Sequence, residues 1–187
     1  MDTSWATQPL FTLPPRLVLV VKMIGFVAVF LFLISPALVT LGWHLLNGST
    51  IQSRGKRVLV PLKWIAETNN TMGVQMWKLP FTILRGAKFD GMISVGQSAL
   101  LPSQKTEEFY KSFETLYWNL AGANAVVSGP VRTGTGSKET FCMESTYSGA
   151  RNQVAARCLI LEGKWDADFM GDKKDLGTFF EIIQKID

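Results

Sequence analysis

Histidine is nearly missing from this sequence: the only one is His44, at the end of an apolar run. Ser-His-Asp and Cys-His arrangements take their base from a histidine, so the residues after that run cannot assemble either. Cysteine is almost as scarce, with Cys142 and Cys158 alone. Two thiols without a soluble histidine do not supply the ligands of an ordinary zinc site. No metal and no other cofactor is indicated. The two cysteines are not spaced C-x-x-C, which argues against a thioredoxin-type redox pair. Basic runs are short. The longest is "RGKR" at 54–57, and the net charge is a mild +4, so no nucleic-acid partner is indicated. "GTGSK" at 134–138 lacks phosphate-loop spacing and sits between two predicted strands, so it reads as a hairpin loop. "SVGQSAL", around Ser98, is not a G-x-S-x-G nucleophile elbow.

Charge of either sign disappears between Lys22 and Arg54. Residues 23–46 in this gap are almost wholly apolar. As one helix they would reach about 36 Å, enough to cross a hydrocarbon core with some tilt. Trp43 and His44 fit an interfacial belt at its end. The run is longer than a signal-peptide core and no A-x-A site follows it. Soluble core helices rarely lack polar residues for so long. The run therefore reads as an uncleaved signal anchor, with Pro36 bending it modestly. The literal count of flanking Lys and Arg favours a cytoplasmic C-terminal side. The position near the N-terminus, and the tendency of long domains to translocate regardless of charge, favour the opposite. The expected plan is a short tail (1–22), a transmembrane anchor (23–46), a polar linker (47–55) and an extracytoplasmic domain (56–187). "RGKR", directly beside the span, suits lipid head groups.

The domain reads as strands with two helices. Strands are expected at 57–64, 76–84, 92–100, 125–131, 139–147 and 153–161, with a further short one near 164–171. Residues 66–73, "AETNNTMG", read as a loop. The clearest helix spans 103–124, capped by Ser103, with Phe109, Phe113, Leu116 and Leu120 on one apolar stripe. A second amphipathic helix spans 175–186, capped by Asp175. This order predicts an α+β fold: a mainly antiparallel sheet, a central amphipathic helix and a C-terminal helix, preceded by one transmembrane helix.

The cysteines have a geometric relation. Facing residues of an antiparallel pair have a constant positional sum, and a turn centred on Ala150 sets Cys142 opposite Cys158. The same register pairs Glu144 with Ala156. A disulfide follows if the domain lies outside the cytoplasm, and two small core thiols if it lies inside. Asp166 and Asp168 share one strand face, which reads as a solvated side. Trp64, Trp77, Trp118 and Trp165 are candidate partner contacts, because tryptophan is enriched at binding hot spots.

Two stretches resemble the PsbP/DcrB-like superfamily of small α+β domains. One is "VPLKW" (60–64), an early strand closing on a Pro-x-x-Trp-like step. The other is "ARCLILEGKWDADFMGDKKDLGTFFEIIQKI" (156–186), where late strands feed a final helix through Phe179, Ile183 and Ile186. The resemblance implies an αβα sandwich and a non-catalytic binding or assembly role, and it carries over no functional residue. The expected function is thus a membrane-anchored envelope protein that binds a protein partner or helps assemble a membrane complex. The alternatives are a tethered hydrolase using Ser/Lys or carboxylates, and a small-ligand or lipid-binding domain.

Overall fold

Prolines set the N-terminal helices. Pro15 starts α1 (Pro15–Leu33), where a missing N–H costs nothing. Pro36 cannot donate to the carbonyl one turn back. The helix breaks at Ile34 and resumes as α2 (Ser35–Asn47). The expected single helix over 23–46 is therefore divided, and residues 15–22 of the expected tail join α1. At 1.5 Å per residue α1 is about 28 Å long. It is long and apolar enough to cross a membrane, and none of its residues is buried. Gly48, at φ 76°, closes α2 as its N–H reaches the His44 carbonyl at 2.9 Å.

The computed structural model describes residues 14–69, 73–80, 90–97, 107–122, 124–133, 139–147, 153–160 and 165–186. Residues 1–13 of the expected tail, Ser98, the cap Ser103, the loop 134–138 and the turn centre Ala150 lie outside them. The expected polar linker is partly structured. It supplies β1 (Thr50–Ser53), which pairs with β2 (Lys56–Leu59) around Arg54 and Gly55, both at positive φ. Val58 is fully buried and Ile51 packs on the core.

The remaining strands are β3 (Trp64–Asn69), β4 (Gly73–Lys78), β5 (Gly91–Gln97), β6 (Ala125–Thr133), β7 (Thr140–Tyr147), β8 (Gln153–Ile160) and β9 (Trp165–Asp172). They form one seven-stranded sheet in the order β3-β4-β5-β9-β8-β7-β6, every pair antiparallel. The helices are α3 (Glu107–Ala121) and α4 (Leu176–Gln184), the latter after a 3-10 turn at Lys173–Asp175. The fold is α+β with a mainly antiparallel sheet, as the order of elements predicts. Expectations fail locally in two places. The strand expected at 57–64 is broken at 60–63, between β2 and β3. Much of 66–73 is strand, because Gly73 at φ 87° starts β4 hard against β5. A Cβ there would lie 2.3 Å from the Val95 carbonyl oxygen.

Alternation along each strand builds two faces. One face packs Met76, Ile93, Val95, Val154, Ala167 and Phe169 against Phe179, Ile182 and Ile183 of α4. The Phe169 and Phe179 rings stack with centroids 5.5 Å apart. Cys142 and Cys158 lie in this core, facing each other in register and joined by a disulfide. Glu144 faces Ala156, as the expected register has it. The other face carries α3 over the β6–β7–β8 end. There Tyr110, Phe113 and Tyr117 bury against Val127, Phe141, Met143 and Leu159. The stripe is turned from the expected one: Leu116 is exposed. The buried tyrosine rings pack as phenylalanine would, and the Tyr117 hydroxyl reaches polar groups at the rim.

Candidate functional site

The junction between α2 and the sheet is one candidate. Strand β3 is an edge, and its outer carbonyls would otherwise stand open. Two α2 side chains take them. Trp43 Nε1 donates to the Ala66 carbonyl at 3.0 Å. His44 Nε2 lies 2.9 Å from the Trp64 carbonyl and 3.1 Å from that of Pro61. Its Nδ1 lies 2.9 Å from the Gly48 carbonyl. Thr40 of the same helix is buried and returns its hydroxyl to the Pro36 carbonyl at 3.0 Å. The helix after the break is thus clasped to the sheet rather than hung on a flexible tether.

Below this clasp lies a buried ion pair. Lys78, at the end of β4, reaches Asp175 with Nζ 2.7 and 2.5 Å from the two carboxylate oxygens. Asp175 stands at the start of α4 yet makes no capping hydrogen bond. The expected cap is instead the counter-charge of Lys78. A cavity of about 660 Å³ opens beside the pair. Ala37 and Leu41 of α2, Leu62 and Lys63 of the β2–β3 turn, and Lys78 and Lys174 are among its walls.

The second candidate is the sheet face that α3 leaves open among the described residues. Ile65, Trp77, Met92 and Met170 are successive cross-strand partners on β3, β4, β5 and β9. They make one apolar row, in which Met92 and Met170 are exposed and Ile65 and Trp77 half-buried. Beside it Ser94, Asp168 and Arg157 form a polar row. Arg157 stands between the two strand carboxylates, with a terminal nitrogen 3.3 Å from Asp166 and Nε 3.3 Å from Asp168. Its Nε is buried and makes no hydrogen bond. Burial holds the Asp168 carboxyl above the usual carboxylate range, with Arg157 opposing it. A groove of about 180 Å³ separates this region from α3 and includes Tyr117, Ser145 and Arg157 in its walls. The Tyr117 hydroxyl is 3.2 Å from both Ser145 Oγ and the Ala155 carbonyl. Burial pushes its pKa up.

The four tryptophans part company here. Trp64 and Trp165 are 2% and 6% exposed and belong to the core, so these two expected contacts do not face solvent. Trp64 fits because β5 offers Gly91 beneath its ring: a Cβ there would meet the indole at 2.9 Å. Trp77 lies in the half-open apolar row, and Trp118 projects from α3 at 49% exposure. Asp166 and Asp168 do share a face, but they converge on Arg157 rather than standing free. Sequence reading passed over Arg157, Met92 and Met170. Met92 meets Met170 only because β5 pairs with β9, which no local signal announces, and Arg157 meets Asp166 and Asp168 through the β8–β9 pairing.

No family model matches the chain, and no curated protein matches it. Among solved structures it is similar to cyanobacterial PsbP (CyanoP) from Synechocystis sp. PCC 6803, determined in solution. The identity is 12% and the TM-score 0.48, over 74% of this chain and 92% of that one. The likeness assigns no role to any residue.

Proposed function

We propose that the chain is a single-pass membrane protein whose α+β domain is a non-catalytic accessory or assembly module. In this reading the domain faces the extracytoplasmic side and binds a protein partner. The observation that carries the reading is α1. A helix of 19 residues with no buried residue exposes its apolar side chains on every side, which water penalises at about 25 cal/mol per Å² and a bilayer does not. The clasp of Trp43 and His44 on β3 supports a domain held at the membrane surface. The joined cysteines support an oxidising compartment. The apolar row through Trp77, Met92 and Met170 supports a partner face.

Two measurements test this. Carbonate washing of membranes should leave the chain in the pellet, and only detergent should release it. A photo-crosslinker placed at Met170 should yield a discrete adduct in intact membranes, and Met92→Glu should abolish it. Release by carbonate would overturn the anchor, and a crosslinker that labels nothing but lipid would overturn the partner face.

A further inference from the structure

The exposed apolar surface does not end with α1. Leu38, Val39 and Leu41 of α2 are 43%, 55% and 53% exposed. Counted through α1 and the first turns of α2, across the break at Ile34, Lys22 to Leu41 is about 20 residues and at most about 30 Å, the thickness of a hydrocarbon core. That frame lets Lys22 snorkel to one interface. It sets Leu41 at the other, where the cavity beside α2 opens. Leu62, on the β2–β3 turn, is 75% exposed next to Lys63. A bare leucine beside a lysine suits a surface that meets acyl chains below and head groups above.

The charges at this cavity are not equivalent. Lys78 is committed to Asp175, Lys174 has Asp172 at 2.7 Å, and Asp90, the acidic residue in the wall, is not free either. Lys63 has no carboxylate partner among the described residues. A cavity of about 660 Å³ lies within the range of small-ligand sites. Resting on the membrane reading above, we infer that it holds one anionic phospholipid of the adjoining leaflet. The phosphate sits against Lys63, with Lys174 beside it, and an acyl chain runs down Ala37, Leu41 and Leu62 into the bilayer. Charge complementarity at Lys63 and continuity with the apolar helix surface select this occupant.

The test uses the full chain in nanodiscs of phosphatidylcholine with or without phosphatidylglycerol, followed by native mass spectrometry after mild detergent release. One phosphatidylglycerol should stay bound in preference to phosphatidylcholine. Lys63→Ala should lower that preference about fivefold, the effect of one basic side chain near an anionic surface. Lys111→Ala, an exposed lysine on α3 outside the cavity, should leave it unchanged. Leu41→Trp, which fills the cavity, should reduce retention of both lipids. Equal retention of the two lipids, an unchanged preference in Lys63→Ala, or complete displacement by inorganic phosphate would each overturn this inference while leaving the anchor standing. Recovery of the chain in the soluble fraction without detergent would overturn both.

Discussion

Asp175 separates two explanations of the same residue. As a helix cap it would be replaceable by asparagine, which caps as well as aspartate, and the change would cost a few tenths of a kcal/mol. As the counter-charge of Lys78 it is not replaceable. The two side chains are 11% and 12% exposed, and Nζ lies 2.5 Å from the nearer oxygen. Asp175→Asn keeps the shape and strands a buried ammonium, at a cost of about 3 kcal/mol. Lys78→Met combined with Asp175→Leu removes both charges, and such replacements are often neutral. The double variant should therefore be more stable than Asp175→Asn. Urea unfolding of the full chain in mild detergent, followed by tryptophan fluorescence, reads all three. A loss below about 0.5 kcal/mol for Asp175→Asn would refute the ion-pair account, and so would additivity of the two single changes in a double-mutant cycle.

Other outcomes are expected from the same geometry. Gly91→Ala should cost about 1–3 kcal/mol, because the new Cβ meets the buried Trp64 ring; an unchanged urea midpoint would contradict this packing. Replacing both Cys142 and Cys158 by alanine should cost about 3 kcal/mol from the entropy of a loop closed across 16 positions. In the untreated protein neither thiol should label, and labelling without reductant would remove the disulfide from the account. Burial, opposed by Arg157, raises the folded pKa of Asp168. Its contribution is therefore fully present below the ordinary aspartate range and lost as pH rises through the raised value. The stability of Asp168→Asn relative to the parent should rise with pH across that window; a flat difference would show that the site is not desolvated.

How far local sequence reaches can be judged from particular elements. Periodicity and turn chemistry were enough for β7, β8 and β9 and for both domain helices, and they offered, for a turn centred on Ala150, the register that sets Cys142 opposite Cys158. These depend on neighbours within about 16 positions, where alternation and one turn leave little freedom. The apolar stretch after Lys22 was likewise plain, because nothing charged interrupts it. Its division at Ile34 was not, since a proline inside an apolar run only bends a helix unless another surface takes over. Here the β3 edge does so, drawing Trp43 and His44 onto its carbonyls. Long-range pairing accounts for the rest. Trp64 and Trp165 became core and Asp175 met Lys78 because β5 pairs with β9 across a gap no propensity spans, while Arg157 met two carboxylates through the β8–β9 register. Residue type states which groups want burial or a counter-charge; only the closed sheet supplies the partner at the required distance.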